Sequence, residues 1–388
     1  MSKFTVIYEY KTTVNRLSSM KKLKDKPYYK ELIHSKPEVK DKFYDSHKKH
    51  YRRRMYLIYN HDDDEVTSFD ADVFDLCFGK PIIDRGYITK LNLGRLNYCL
   101  SKQGVISRRC GRVLRCKTNI KGIEFVYQED LDESMAMFLG MTYGRSVIND
   151  NALVSNNSPD MKTCYMILGD DDYLYFVLNT KFIMLPENFN VENNGLAFLL
   201  NYIECDNLDL SKVLLDPKTK SLANVFNGSR IKNLDISNFD LSNITDMHFM
   251  FFNSRVETIK INPLNPIHSD DYSIVKYKNA FERCRNLKEL DLRFIDVSRV
   301  RLNIMLSHMT GIQKLWLRGK PKHNTEINIA YIYGGTLYLN KELYNYIMKN
   351  KKKLKIDGRV KEITICCYDY NSNIVESKTL PAKLFTIE

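Results

Sequence analysis

From Leu222 onward, apolar side chains return to the same places every 25 residues. Residues 222–246 read LANVFNGSRIKNLDISNFDLSNITD and the next block begins MHFMFFNSRVETIKI. Phe226 thus aligns with Phe251, Ile231 with Val256, Leu234 with Ile259 and Ile236 with Ile261. A third copy sets Phe281, Leu287, Leu290, Leu292, Ile295, Val297 and Val300 at the equivalent positions, and a fourth sets Leu306, Ile312, Leu315 and Leu317. Upstream, Phe198, Ile203, Leu208 and Leu210 extend the pattern. In each copy a Leu-x-Leu segment alternates as a strand does, its middle residue facing outward. A fixed period of this length predicts about five stacked coils over residues 195–318. The third coil carries an insertion of about six residues within NPLNPIHSDDYSIVKYK. One coil cannot fold alone, because half a dozen apolar side chains do not offset the ordering of 25 residues; stacking buries both of its faces.

The flanking regions lack the repeat. Apolar alternation predicts strands over 4–10 and 55–60, and mixed helical spacing marks 88–103. Residues 112–117 and 123–128 suggest a strand pair, and 130–141 carries acids in its first turn as a helix would. Two apolar runs around an Asp-rich turn predict a hairpin over 164–179. These elements predict an α+β N-terminal domain over 1–190, with a boundary near 186–194. Beyond the array, 319–388 holds several strand-like runs and a helix at 341–350, expected to form a β-rich cap over the open end of the stack.

The segment NVFNGSRIKNLDISNFDLSNITDMHFMF resembles the BspA-like branch of leucine-rich repeats, found in bacterial surface antigens and mycoplasma lipoproteins. GGTLYLNKELYNY (334–346) resembles the strand-and-tyrosine ending that follows many such arrays. The resemblance covers about a third of the chain. It implies a solenoid with a parallel sheet along one side, and a binding surface without a shared catalytic residue. Family members are commonly secreted or anchored. Here MSKFTVIYEYKTTVNRL has no uninterrupted apolar core of the kind a signal peptide needs, and no window reaches the length of a membrane helix. The expectation is therefore a cytoplasmic or virion-associated protein with no membrane partner. High Lys, Asn, Ile and Tyr with one Trp suits an AT-rich bacterial or phage genome.

Charge adds a second theme. The net charge of +12 is unevenly placed. Residues 1–60 carry 16 Lys/Arg against 6 Asp/Glu, residues 61–84 hold eight acids and one Lys, and Arg85 to Ile120 holds nine bases and no acid. KKHYRRRMY and RRCGRVLRCK mix cations with tyrosine and apolar residues, as nucleic-acid surfaces do. Lys48, Lys49, Arg52, Arg53, Arg54, Arg108, Arg109, Arg112 and Arg115 are the candidates for nucleic acid or an acidic partner. The outward column of the repeats is the candidate protein-binding face: Asp235, Lys260, Asp291 and Trp316, with Arg293 and Arg318 beside them. Trp316 next to arginine has the composition of an interface anchor.

Catalytic chemistry finds little to stand on. GDDD (169–172) lacks the second aspartate motif that a two-metal site requires, and Asp62–Asp64 lack the ligand spacing of a calcium loop. Cys99, Cys110 and Cys116 have neither a close Cys pair nor a nearby His, so a zinc site is not expected. The nine cysteines are read as reduced thiols, with Cys205 and Cys284 inside the coils. No P-loop, Rossmann glycine string, G-x-S-x-G or HExxH motif is present. The sequence thus predicts a non-enzymatic interaction protein without metal or cofactor, a phage or bacterial accessory or host-interaction factor. Its alternative is a nucleic-acid-binding protein in which the repeats are scaffold.

Overall fold

The computed structural model describes residues 4–14, 51–61, 64–78, 80–110, 112–117, 119–131, 135, 155, 164–190, 195–262, 276–369 and 371–388. Lys48, Lys49 and most of the helix expected over 130–141 lie outside them. The fold mixes many strands with few, short helices, and most of its sheets are parallel.

The chain opens with an antiparallel sheet of β1 (Phe4–Val14), β2 (Tyr51–Asn60) and β3 (Glu65–Asp70). Helix α1 (Ala71–Phe78) starts where the Asp70 carboxylate accepts the Asp72 N–H at 3.0 Å, a side-chain cap. Five consecutive residues of β2, Met55 to Tyr59, are buried, because apolar layers cover both faces of the strand. Next come β4 (Ile88–Lys90) and α2 (Leu93–Lys102), the helix capped by the Asn92 side chain on the Arg95 N–H. A hairpin of β5 (Ile106–Arg109) and β6 (Arg112–Cys116) follows, then β7 (Gly122–Tyr127), β8 (Cys164–Leu168), β9 (Tyr173–Leu178) and β10 (Phe182–Leu185).

The expected hairpin over 164–179 is present as β8 against β9. The expected pairing of 112–117 with 123–128 is not. Strand β6 pairs antiparallel with β5, whereas β7 runs parallel to β9 in full register from Gly122↔Tyr173 to Tyr127↔Leu178. Val113 is buried, Cys116 packs only partly against the core, and Arg112, Leu114 and Arg115 are exposed, so β6 offers the core little. The β7 partner must supply the nearly continuous apolar run that β9 has.

Helix α3 (Gly195–Tyr202) leads into β11 (Glu204–Asp209), β12 (Val213–Leu215), β13 (Arg230–Ile236) and β14 (Thr258–Ile261). Strands β11, β13 and β14 form one parallel sheet, with Leu208 beside Leu234 and Leu234 beside Ile259, the positions that repeat in sequence. Beyond lie β15 (Glu289–Asp296), α4 (Leu302–Met305), β16 (Lys314–Arg318), β17 (Ile327–Asn328) and β18 (Thr336–Asn340). They are followed by α5 (Lys341–Lys349), β19 (Leu354–Ile356), β20 (Glu362–Tyr368), β21 (Ile374–Pro381) and β22 (Thr386–Ile387). A second sheet runs β15-β16-β18-β20-β21 and places Leu290, Leu315, Leu337 and Ile365 in line. The parallel ladder therefore does not stop at Arg318. Strands β18 and β20 prolong it, and only β21 returns antiparallel.

The opposite side of the copies is held by its own backbone bonds. Leu222, Phe226 and Gly228 donate their N–H groups to Asp246, Met250 and Phe252, and Met247, Phe251 and Asn253 donate in turn to Lys276, Ala280 and Glu282. Between these rows Phe226, Phe251 and Phe281 stack with ring centroids 5.2 and 5.1 Å apart. Each turn needs left-handed residues, and they recur in step: Asn224, Phe249 and Asn279 at φ 60, 55 and 61, then Gly228, Asn253, Arg283 and His308 at φ 72, 55, 62 and 59. Only some of these residue types favour that backbone region.

One hydrophobic cluster runs without interruption from Leu91 through β9 and the repeats to Phe385. The N-terminal sheet packs on Phe182, Met184 and Leu214 and is pinned by polar bonds. Tyr10 donates to Ser68 at 2.9 Å, Ser68 to Asp240 at 2.6 Å, and the Val66 N–H reaches Asn238 at 3.4 Å.

Candidate functional site

The outward face of the repeats divides into two unlike halves. On β11-β13-β14 the outward residues neutralise one another across the strands. Arg230 pairs with Glu204 at 2.9 Å, Lys232 with Asp206 at 2.5 Å and Lys260 with Asp235 at 2.9 Å. Asn233 donates to Asn207, and Thr258 donates to Asn233. Burial alone would push the pKa of Asp235 up, but Ser237 and Lys260 outweigh it and hold the carboxyl below its usual range. Asp235 and Lys260 therefore serve each other. No backbone strand pairing joins them to the sheet of Asp291 and Trp316 among the described residues.

The second half is aromatic and cationic. Register sets Asp291 beside Trp316, Trp316 beside Tyr338, and Tyr338 beside Cys366. The Trp316 indole stacks on Tyr338 with centroids 4.0 Å apart and tilts against Tyr368 at 5.6 Å. Trp316 Nε1 donates to Glu289 at 2.8 Å. The Arg293 guanidinium lies over both Trp316 (4.8 Å) and Tyr368 (5.4 Å). Asp291 grips it from below: Arg293 Nη2 meets Asp291 Oδ2 at 2.6 Å, and Arg293 Nη1 donates to Ser372. Tyr368 is buried and donates to the Leu317 carbonyl at 3.0 Å, and burial pushes its hydroxyl above the ordinary phenol range. Trp316, Tyr338, Arg293 and Arg318 remain half-buried, so the cluster is built and fixed yet still open to a partner.

Of the expected protein-binding residues, Asp291, Arg293, Trp316 and Arg318 fall within this half. The aromatic residues that flank Trp316, Tyr338 and Tyr368, come from the region expected to cap the stack. Two other tyrosines of that region lie elsewhere: Tyr331 stacks on His308, and Tyr333 takes the Arg359 guanidinium at 3.6 Å. The sequence signal for Tyr338 was the same Leu-x-Leu pattern, Leu337-Tyr338-Leu339, at a shorter interval.

The basic candidates separate as well. Arg54 is tied inside the N-terminal sheet, to Glu9 at 2.7 Å, Asp72 at 3.3 Å and Asp75 at 3.4 Å, so it is not available to phosphate. Arg52 and Arg53 lie in β2 opposite Thr13 and Thr12. Arg108, Arg109, Arg112 and Arg115 all sit exposed on the β5–β6 hairpin.

The acidic runs carry structural bonds. Asp171 accepts from Tyr175 at 2.6 Å and from the Tyr173 N–H at 3.1 Å, and Asp172 pairs with Lys117 at 2.5 Å. Asp64 pairs with Lys181 at 2.7 Å and Lys212 at 3.3 Å. Those two lysines line a cleft of about 660 Å³ with Tyr87, Tyr127 and Thr180, and their charges are turned onto Asp64. No group of three or more His, Cys, Asp or Glu able to hold a metal occurs among the described residues. Cys205 and Cys284 are free thiols in the core, and burial pushes each up to about 12. No helix among the described residues is long and apolar enough to cross a membrane.

Compared with known proteins, the chain matches no family model, no curated protein and no solved structure. The resemblance of residues 225–251 to BspA-like repeats stands on those residues alone.

Proposed function

We propose that this protein works by binding another protein through the C-terminal half of its repeat face, and that it is not an enzyme. In this reading the chain is a BspA-like leucine-rich-repeat solenoid, prolonged by β18 and β20 and flanked by the α+β N-terminal region. Support for the solenoid comes from parallel pairing between sequence-equivalent leucines. The observation that carries the binding site is the Trp316–Tyr338–Tyr368–Arg293 cluster. Half-buried aromatic and arginine side chains, held rigid by their neighbours, give up little conformational freedom on docking and make strong anchors. The ion-paired N-terminal half offers a partner mainly charges that are already neutralised, and such rim contacts contribute little. A cytoplasmic or virion-associated accessory factor fits the reading.

The experiment compares capture of binding partners from the native host by the wild type and by Tyr338→Ala and Asp235→Ala variants of unchanged fold. Specific capture should be lost in Tyr338→Ala and kept in Asp235→Ala. Capture insensitive to Tyr338, or equally sensitive to Asp235, would overturn the proposal.

A further inference from the structure

Residues 106–116 read ISRRCGRVLRC, within a stretch from Arg85 to Ile120 that contains no acid. In the hairpin Arg109 lies directly across from Arg112 beside the turn, and Ser107 across from Arg115. Directly opposed residues project to the same side of a ribbon, and Ser107 and Arg109 share a side because side chains alternate with period two. Arg109, Arg112 and Arg115 therefore occupy one face. The cause is the register shift between Ser107 and Arg108. One extra residue in β6 resets the alternation that would otherwise send Arg112 and Arg115 to opposite faces.

All three arginines are exposed, and none of them has an ion-pair partner among the described residues. Ile106 and Val113, 3% and 6% exposed, root the ribbon in the core, while Leu114 stands 54% exposed at the bulge. Like charges directly across a ribbon repel. The Arg109–Arg112 rung thus works against the hairpin unless an anion lies between the two guanidinium groups.

We infer that this arginine face binds the phosphate backbone of double-stranded DNA. Guanidinium forks match phosphate oxygens in pairs, which lysine ammonium groups do not. The rungs that carry them are two residues apart, about 7 Å along the strands, and this regular spacing suits the repeating charge of a nucleic-acid backbone better than the scattered carboxylates of a folded protein. Residues 106–116 include no aromatic side chain, so the ribbon itself offers none of the stacking platform that single strands use. A two-stranded ribbon enters the wide major groove of B-form DNA and not the deep, narrow one of A-form RNA. The surface is separate from the Trp316 cluster, and neither proposal depends on the other.

The test is fluorescence anisotropy of a labelled mixed-sequence DNA duplex with the full chain, from about 50 to 200 mM salt. The variants are the triple Arg109→Gln, Arg112→Gln, Arg115→Gln and the matching triple lysine substitution. Each phosphate contact contributes about 0.9 to the slope of log affinity against log salt, so the glutamine triple should flatten the slope by about 2 to 3. It should also bind at least about tenfold more weakly at the low-salt end. The lysine triple should keep most of the slope, which a folding defect would not allow, and the glutamine triple should melt no lower than wild type because repulsion is relieved. Failure of the wild type to bind duplex overturns the inference, as does an unchanged slope in the glutamine triple. Equal affinity for single strands, or displacement by polyglutamate of equal charge, overturns it in favour of those ligands.

Discussion

The indole of Trp316 lies flat on the ring of Tyr338, centroids 4.0 Å apart and planes within 11°. These two residues are neighbours in the parallel ladder, one from the last repeat copy with regular spacing and one from the strand that follows it. A double-mutant cycle with Trp316→Leu and Tyr338→Leu, read by urea unfolding, should return a coupling of about 0.5–1.5 kcal/mol. A coupling near zero would mean that the stack is not formed in solution.

Arg293 does two things that lysine cannot. Its planar guanidinium donates to the Asp291 carboxylate from more than one nitrogen and lies over the faces of Trp316 and Tyr368. Arg293→Lys keeps the charge, yet it should lower stability by about 1 kcal/mol and change the emission of the chain's single tryptophan. Urea melts followed by tryptophan fluorescence measure both effects.

Gly335 precedes β18 at φ 95, and a Cβ there would run into the Gln313 backbone carbonyl. Gly334, at φ 137, has open space where its Cβ would be. Gly335→Ala should therefore cost about 2–3 kcal/mol, and Gly334→Ala about 1–2 kcal/mol from backbone strain alone. Thermal denaturation of the two variants side by side gives the comparison.

Asn253 occupies the left-handed position that Gly228 fills one copy earlier. Its side chain is exposed. Asn253→Gly should be neutral to stabilising, by up to about 1 kcal/mol, whereas the β-branched Asn253→Val should destabilise by at least that amount. A reversed order in urea midpoints would contradict the left-handed assignment.

Burial alone would push the Asp64 carboxyl up, but Lys181, Tyr59 and Lys212 draw it down from 3.8 to about 2. A carboxyl with a depressed value in the folded state stabilises the fold above the unfolded value, near pH 4. That stabilisation is lost as pH falls through about 2. Wild type should accordingly lose more stability between pH 5 and pH 2 than Asp64→Asn does. Urea midpoints across this range test the sign, and an identical pH dependence would remove Asp64 from the acid response.

Much of the fold could be read from side-chain periodicity alone. Leu208, Leu234 and Ile259 in one sheet, and Leu290 and Leu315 in the next, hold their outward neighbours in register because a one-residue slip would turn the buried leucines to solvent. The extension through Leu337 and Ile365 was harder to see, since those strands follow at unequal intervals and the eye expects the fixed period. Partner choice was hidden where two candidates look alike. β6 and β7 are short alternating runs close in sequence, and only the apolar run of β9, about fifty residues on, decides between them. Charge runs were the least informative. Nothing in the string Arg52-Arg53-Arg54 announces that Glu9, Asp72 and Asp75 will close around Arg54, because those acids come from separate elements. The aromatic cluster was half legible: Trp316 announced itself by rarity, while Tyr368 needed the turn at Ser372 and the reach of Arg293.

The reversal at β21 has a consequence for how such a molecule can change. Chain direction flips there, and the strand carries alternating acid and base at Glu376 and Lys378 and ends in Pro381. A proline and a pair of charges discourage docking by a foreign strand. A further strand running parallel to β20 finds no neighbour of its own direction on which to pair. Repeat copies added upstream of β15 would set the Trp316–Tyr338 surface farther along the chain from the arginine ribbon and leave the pairing of β16 with β18 intact.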